Sequence, residues 1–530
     1  MLKPCAAIVL ATQVALSAPI AVGAPAAAAP WVLVGPVNQA LIDVPFQPRA
    51  LSASGITVYD PQALMQYVLT HSAAGPHPHS ARGVAELIEL VYREDGYLLA
   101  EVAMHASADA GTVHWQVMEG QLDAVRISGV TDADAARTIE AYLVPLTRSA
   151  VLTRQSLERA MMLAGDLAGI ALNYRLAPSV SGPGTTLWVE ASQATRRSSV
   201  NLDWIPMRPG YTRRLSYLDE RYSVFQTGDL LRLQAMATRE AQGGSALLGN
   251  MFYRKPLGSD GDYVEAILGN GRSSRGLSNT PERLELRGAN AIVAWGRPLA
   301  RSLHHHRYLI GALEHTEARM RQGVNEPRSA ATVARLYWVE GRNETTGRLA
   351  QINWVASVGR RPDSRAGQAD DGAKHFAHMR AGLGMAGPWS AGETALTYRF
   401  ESALQWTPDA LPMVEKFALG HYPFLRGYAP AEVAGDRGIA ATLEVARHGS
   451  VREGISAIKP FAFVAAGRVS SVATGVAPAF NAWTLASAGI GVRLPIDRLN
   501  LETWIASPLR KGPLSDRGAA AFYLSLGTQW

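Results

Sequence analysis

The last nine residues of the chain alternate strictly. Phe522, Leu524, Leu526, Thr528 and Trp530 fall on one face of an extended strand, and Tyr523, Ser525, Gly527 and Gln529 on the other. Successive strand side chains point to opposite faces, so one face is mainly apolar and the other polar or small. Leu499, Leu501, Thr503 and Ile505 alternate with Asn500, Glu502, Trp504 and Ala506 in the same way. The composition makes this pattern restrictive. Hydrophobic residues are 47% of the 530 and charged residues only 18%. Yet past the first thirty residues no apolar run reaches the ~18 that a membrane-spanning helix needs. Such a chain fits a large soluble α/β enzyme or a transmembrane barrel, in which lipid-facing and lumen-facing residues alternate. A soluble all-β domain would alternate too.

From Arg197 onward, short alternating segments are separated by Gly, Asp, Asn and Pro. At ~20 residues per strand with its connection, residues 197–530 predict a transmembrane antiparallel β-barrel of about 16 strands. Such a sheet must close, because hydrocarbon offers no partner to a free strand edge. An outward aromatic at the end, Trp530, suits the interfacial aromatic girdle.

The first 29 residues read as a secretory signal peptide. Lys3 is the only charge, Ala6–Gly23 is apolar, and Ala24–Ala29 offers small-x-small cleavage sites. A bacterial periplasmic or outer-membrane destination follows. The single cysteine, Cys5, lies inside that signal, so disulfides and thiol catalysis are excluded from the mature chain. The net charge of +6 suits a cationic lumen, an acidic partner or anionic lipid headgroups, and does not choose among them.

After a linker at 30–49, two α+β units follow, at 50–120 and 121–194. In the first, Leu51–Tyr59 is strand-like and Asp60-Pro61 starts a helix with Leu64, Tyr67 and Val68 on one face. Val84, Leu87, Ile88 and Val91 mark a second helix, broken by Gly96. Tyr97–His105 and Thr112–Glu119 are then two strands. The second unit repeats this β-α-α-β-β order: strand Leu122–Val130, a helix after a Thr131/Asp134 capping box, helix Thr153–Asp166, and strands Ile170–Ala177 and Thr185–Ala191.

Enzyme and metal signals are weak. His304, His305 and His306 are consecutive, and neighbouring strand residues cannot converge on one ion. No G-x-G-x-x-G fingerprint or G-x-S-x-G elbow is present. We expect no enzyme activity, no cofactor, no metal and no nucleic acid.

The segment 411–447, LPMVEKFALGHYPFLRGYAPAEVAGDRGIAATLEVAR, resembles the outer-membrane transporters of two-partner secretion (a branch of type V secretion), also called haemolysin secretion/activation proteins. These belong to the superfamily of outer-membrane assembly barrels. Leu425-Arg426-Gly427-Tyr428 matches the tip of that family's sixth extracellular loop, and Gly435-Asp436-Arg437-Gly438 the G-D-R-G after it. Gly96-Tyr97 and Met118-Glu119-Gly120 look like the closing hairpin of the family's first POTRA domain. Leu157-Glu158-Arg159-Ala160 and Asp166-Leu167-Ala168-Gly169 look like segments of its second.

The resemblance implies two periplasmic POTRA domains before a 16-stranded barrel in the outer membrane, with loop six (411–438) folded back into the lumen. It implies a secreted partner exoprotein, an adhesin or a haemolysin. It also implies contact with outer-membrane lipid and lipopolysaccharide, and insertion by the barrel assembly machinery. Relatives pair the loop arginine with an Asp in an inner-wall motif. Here that motif is Phe461 to Gly467, with Phe463 and Gly467 in place and Ala465 at the Asp position. Glu444 is therefore the expected lumen partner of Arg426, since Thr442, Glu444 and Ala446 would face inward. The short Pro-containing linker predicts no plug helix of the kind found in many relatives. The expected client-docking edge is the second strand of the first POTRA domain, Leu98, Leu99, Ala100, Glu101, Val102, Ala103 and Met104, open to β-augmentation. An assembly factor for other barrels, or less readily a porin or enzyme, is the alternative; two POTRA domains argue for secretion.

Overall fold

The structure, a computed structural model, describes residues 52–71, 80–106, 113–179, 184–206, 211–241, 243–276, 283–322, 328–362, 373–392, 394–421, 423–447, 458–473, 482–496 and 498–530. The expected signal, the linker and any plug helix lie outside the described residues. The chain divides at Gln193/Ala194 into an α+β unit and a barrel unit.

In the first half of the α+β unit, β1 (Ser52–Ser54), α1 (Pro61–His71), α2 (Ala81–Glu94), β2 (Glu101–Ala106) and β3 (Val113–Met118) follow in order. Pro61 opens α1 and the Asp60 carboxylate accepts from Ala63 N at 2.9 Å. The sheet order is β1-β3-β2, with β1 parallel and β2 antiparallel to β3, so β2 is an edge. Leu64, Met65 and Val68 of α1 and Val84, Ile88 and Tyr92 of α2 bury against Trp115 and Val117 of β3. The expected helical stripe is corrected by one residue: Tyr67 is exposed and stacks on His71, ring centroids 4.1 Å apart, while Met65 is buried. Met65 lies one step of the helical turn beside Leu64, which keeps it on the inner face.

The second half repeats the order with β4 (Leu122–Ser128), α3 (Ala133–Leu143), α4 (Arg154–Gly165), β5 (Ile170–Pro178) and β6 (Thr185–Gln193), the sheet running β4-β6-β5. α3 is capped by Asp132, whose carboxylate accepts from Asp134 N at 2.9 Å. The expected Thr131/Asp134 box therefore sits one residue too early. Thr153 and Ser156 form a reciprocal capping box on α4.

The two halves meet closely. Arg154 N donates to Gly96 O at 2.7 Å, and Tyr97 bridges Thr153. Leu98 and Leu99 pack on the hydrophobic core of the second half. The expected docking edge is thereby shortened at its start: the strand begins at Glu101, and Leu98 and Leu99 serve the joint instead. Gly120 turns the chain there at φ +78, and a Cβ on it would meet Leu99 O at 2.5 Å.

Among the described residues sixteen antiparallel strands close the barrel, β7 (Arg196–Pro206) to β17 (Thr394–Trp406) and β20 (Arg437–Arg447) to β24 (Ala521–Gln529). β24 pairs back onto β7, and Ser198 and Trp530 exchange backbone hydrogen bonds of 2.9 and 3.0 Å. The alternation has a plain outcome. Phe522, Ile505, Leu443, Val464 and Leu313 stand exposed on the outer wall, and Trp504, Ala506, Phe463 and Glu444 are buried on the inner one. Val358 is 62% exposed and Ile490 63%. A band of large apolar side chains this open faces hydrocarbon, not water, which removes the soluble all-β alternative.

Candidate functional site: a loop latched inside the barrel

The chain leaves β17 at Trp406 and returns as β20 at Arg437. Between them lie a 3-10 turn at Met413–Glu415 and two short strands, β18 (Phe417–Leu419) and β19 (Val433–Gly435), paired antiparallel. The tip between β18 and β19 is conformationally costly. His421, Leu425 and Ala431 have φ of 64, 69 and 46, and Gly427 has φ 99. A non-glycine residue in that region costs about 1–3 kcal/mol and persists only where its surroundings over-determine it. Those surroundings are the inner wall. Leu425 and Tyr428 are fully buried in one apolar cluster with Phe417 and Leu419, and with Ala440, Ala465, Val469 and Leu485 of the wall. The two surfaces approach closely: on the wall, a Cβ on Gly438 would strike the Phe417 ring at 2.2 Å and one on Gly467 would meet Leu419 at 3.0 Å, and on the loop one on Gly435 would meet Ser470 O of the wall at 2.6 Å.

Arg426 reaches the wall. Its Nη1 lies 2.8 Å from Glu444 Oε2 on β20, and its guanidinium stands 4.4 Å over the Phe463 ring of β21 (Lys459–Ser470). Both side chains are about 6% exposed. Glu444 Oε1 also takes Arg493 Nη1 at 2.6 Å, and Arg493 Nε contacts Glu502 at 3.0 Å. Ala465 faces Thr442 across the ladder, one inward row from the Glu444–Phe463 pair. The position where relatives carry an Asp is thus apolar, packed beneath Leu425 and Tyr428, and the carboxylate sits two residues away along β20.

Four further ties hold the loop. The Tyr428 hydroxyl lies 2.9 Å from Ala486 O and 2.7 Å from Arg510 O. Glu432 accepts from Leu514 N at 2.6 Å and Ser515 N at 2.8 Å. Asp436, of the G-D-R-G, accepts from Leu411 N at 2.9 Å and Val472 N at 2.7 Å. The last tie was not foreseen from the sequence. Glu415 is bidentate with Arg335 Nη2 at 2.8 and 3.0 Å, and takes His378 Nε2 at 3.0 Å and Arg380 Nη2 at 3.3 Å. Arg335 and Glu415 are among the most buried charges of the barrel, at 2% and 1% exposure, and Glu314 completes the group at 2.8 Å. The signal was there: Val333, Arg335 and Tyr337 alternate with outward Ala334 and Leu336, and Glu415 is the lone acid of an apolar stretch.

These carboxylates and guanidiniums are held in fixed pairs. Each is hydrogen-bonded to its opposite, which makes a latch: it is cheap to keep closed and costly to break one partner at a time. Among the described residues no group of His, Cys, Asp or Glu could hold a metal; His305 instead contacts Glu340 at 3.0 Å.

In the α+β unit, Glu119 of the Met-Glu-Gly motif accepts from Thr57 N at 2.7 Å, Val58 N at 2.9 Å and the Tyr92 hydroxyl at 2.7 Å. Burial acts to raise its carboxyl, and the hydrogen bonds from Thr57, Tyr92 and Val58 outweigh it, so the group titrates below the usual value. On the edge strand, Val102 N, which points away from β3, donates to Glu89 at 3.1 Å. That part of the edge is already occupied. Burial raises the Glu89 carboxyl above its ordinary range.

A closed 16-stranded barrel with an apolar outer wall, an inward loop and two β-α-α-β-β units defines the class: an outer-membrane barrel with POTRA-type domains. Residues 303–494 match the family of haemolysin secretion/activation protein ShlB/FhaC/HecB. Two solved structures share the fold over most of their length. CdiB from Escherichia coli has a TM-score of 0.74 at 15% identity, covering 95% of this chain and 94% of that one. CdiB from Acinetobacter baumannii has a TM-score of 0.68 at 14% identity, covering 91% and 89%. No curated protein matches the sequence. Residues 303–494 thus carry that family's signature, and the chain has the fold of the two CdiB structures.

Proposed function

We propose that this chain is a protein-export pore. It takes an extended partner exoprotein from the periplasm and passes it through the barrel to the cell surface, without catalysis. The observation that carries the reading is the loop 411–436, strained at its tip and tied to the wall by paired buried charges. A passive porin has no use for a loop latched to its inner wall. A transporter needs one, to stay closed between clients.

The client's first contact would be by β-augmentation at the edge of the first POTRA domain. Because Val102 N is taken by Glu89, the usable edge begins at Met104. Met104→Pro removes one outward donor and leaves the β2–β3 ladder intact, as proline is tolerated on edge strands. It should abolish export while barrel abundance stays normal. Client folding outside the cell supplies the drive, since the outer membrane holds no nucleotide pool.

The test compares a deletion strain with its parent by mass spectrometry of culture supernatant and outer membrane. Loss of one large secreted protein, with other barrels unchanged, is the expected result. A broad fall in outer-membrane proteins would replace this reading with an assembly factor.

A further inference from the structure

The outer wall carries a second feature that export does not explain. Four arginines stand side by side on adjacent strands: Arg272 on β11 (Asp262–Gly276) is the direct cross-strand partner of Arg287 on β12 (Arg283–Arg301), Arg287 of Arg319 on β13 (His305–Gln322), and Arg319 of Arg328 on β14 (Arg328–Asn343). All four are exposed and on the same outward face as Leu313 and Val293. One row nearer the rim, Arg213 is the cross-strand partner of Arg239, also outward and exposed. Like charges directly opposite each other destabilise a sheet. Glu317, one row down, relieves one end, contacting Arg319 and lying 2.7 Å from Arg328 Nη2. Among the described residues Arg272 and Arg287 have no ion pair. The row lies at the barrel end that carries the β11–β12, β13–β14 and β17–β20 connections, which is the extracellular end if that last connection is loop six.

Directly beneath the row the wall is hollow. Ala235, Gly249, Asn270 and Ala289 are cross-strand neighbours in one line, and Leu233, Met251, Leu268 and Ala291 in the next. They line a depression of about 740 Å³ in the outer face. Its floor is low at Ala235, Gly249 and Ala289, while Leu233, Met251 and Leu268 wall its lower side and His315 and Glu317 close its β13 edge; it opens toward the lipid. A cationic row over an apolar hollow, both turned to the bilayer, has one complementary shape: an anionic headgroup with an acyl chain below it.

We infer that this face is a binding site for a phosphorylated glycolipid of the outer leaflet, its phosphates on Arg272 and Arg287 and an acyl chain along Gly249 and Ala289. The bound anion removes the repulsion between the arginines. Arg–phosphate pairs of this kind are bidentate and favoured in low dielectric.

The full-length chain, purified in detergent, is titrated with lipid A carrying two phosphates and with the same lipid after both phosphates are removed, and bound lipid is counted by native mass spectrometry. Wild type should retain the phosphorylated lipid and release the other. Arg272→Ser with Arg287→Ser should weaken retention about 30-fold, at the scale of two basic residues at an anionic surface. Neither has an ion pair to lose among the described residues, so the fold should be preserved. Gly249→Phe fills the hollow and should weaken it independently: a Cβ there meets only Gln234 O, at 3.9 Å. Arg468→Ser should change nothing, because its outward neighbours are Ile439 and Thr484 rather than arginine. Equal retention of both lipids, or wild-type retention in the double variant, overturns the site. So would a wild-type dimer that the double variant dissolves, since a second copy would then be the occupant.

Discussion

Replacing Glu444 with Gln should hurt the protein more than replacing its partner Arg426 with Ala, and combining the two should be milder than Glu444→Gln alone. The reason is the sharing of one carboxylate by two guanidiniums. Without Arg426, Glu444 keeps Arg493 at 2.6 Å, so no charge is stranded; the loss is one charge-assisted hydrogen bond, about 1.5–3 kcal/mol. With Glu444 neutral, Arg426 at about 6% exposure keeps its charge but not its carboxylate, while Arg493 falls back on Glu502. Removing one member of a buried pair costs about 3–5 kcal/mol, which is a factor of roughly 10² to 10⁴ in favour of the released loop. The double variant strands nothing. Single-channel recordings in planar bilayers read this directly as open probability, with heat-modifiability on gels as a second scale. The order wild type, Arg426→Ala, double variant below Glu444→Gln is the expected result. Equal effects of the two single variants, or a double variant that adds both penalties within about 0.5 kcal/mol, would refute the shared latch.

Three other outcomes follow from the same geometry. Glu415→Gln, at the base of the loop, should lower the unfolding temperature and raise basal conductance by the same mechanism, at about 3 kcal/mol or more; Glu401→Gln, whose pair with Arg399 is half-exposed, should cost under about 1 kcal/mol. Gly120→Ala forces a Cβ to within 2.5 Å of Leu99 O at a positive φ, and limited proteolysis should then separate the two POTRA-type halves while the barrel stays intact. The Glu119 carboxyl is held below its ordinary value in the fold, so its stabilisation is present above the ordinary carboxylate range and is lost as pH falls through the folded value. Hydrogen exchange at residues 52–59, compared between wild type and Glu119→Gln, should therefore differ at pH 7 and converge as pH falls below the ordinary carboxylate range and through the folded value; a pH-independent difference would contradict the assignment.

How much of this was legible beforehand depends on what each feature rests on. Strand faces were, because period-two alternation is a local property: Phe522, Ile505 and Leu443 point out, and Trp504 and Glu444 in, as their spacing says. The Arg426–Glu444 contact was open to inference from two things together: parity puts Glu444 on the inner wall, and the family resemblance implies a loop folded back to meet it. The start of the edge strand was not. Tyr97 to Ala100 has strand-like residues, but Leu98 and Leu99 are drawn to the core of the neighbouring half, a tertiary pull that local propensity does not contain. The Arg335–Glu415 group joins residues 80 apart and needs the closed barrel to be seen at all. The arginine row likewise exists only once register sets Arg272, Arg287, Arg319 and Arg328 on one line.

In the proposed mechanism the loop lies against the inner wall of the lumen and yields to the client. A photo-reactive benzoyl-phenylalanine at Phe463, whose ring lies 4.4 Å from the Arg426 guanidinium, reports this in living cells. Without client, crosslinked peptides should join position 463 to residues 424–428. With a client arrested in transit, that product should fall and client adducts should replace it. Loop crosslinks that persist undiminished beside an arrested client, or that never form, would contradict the account.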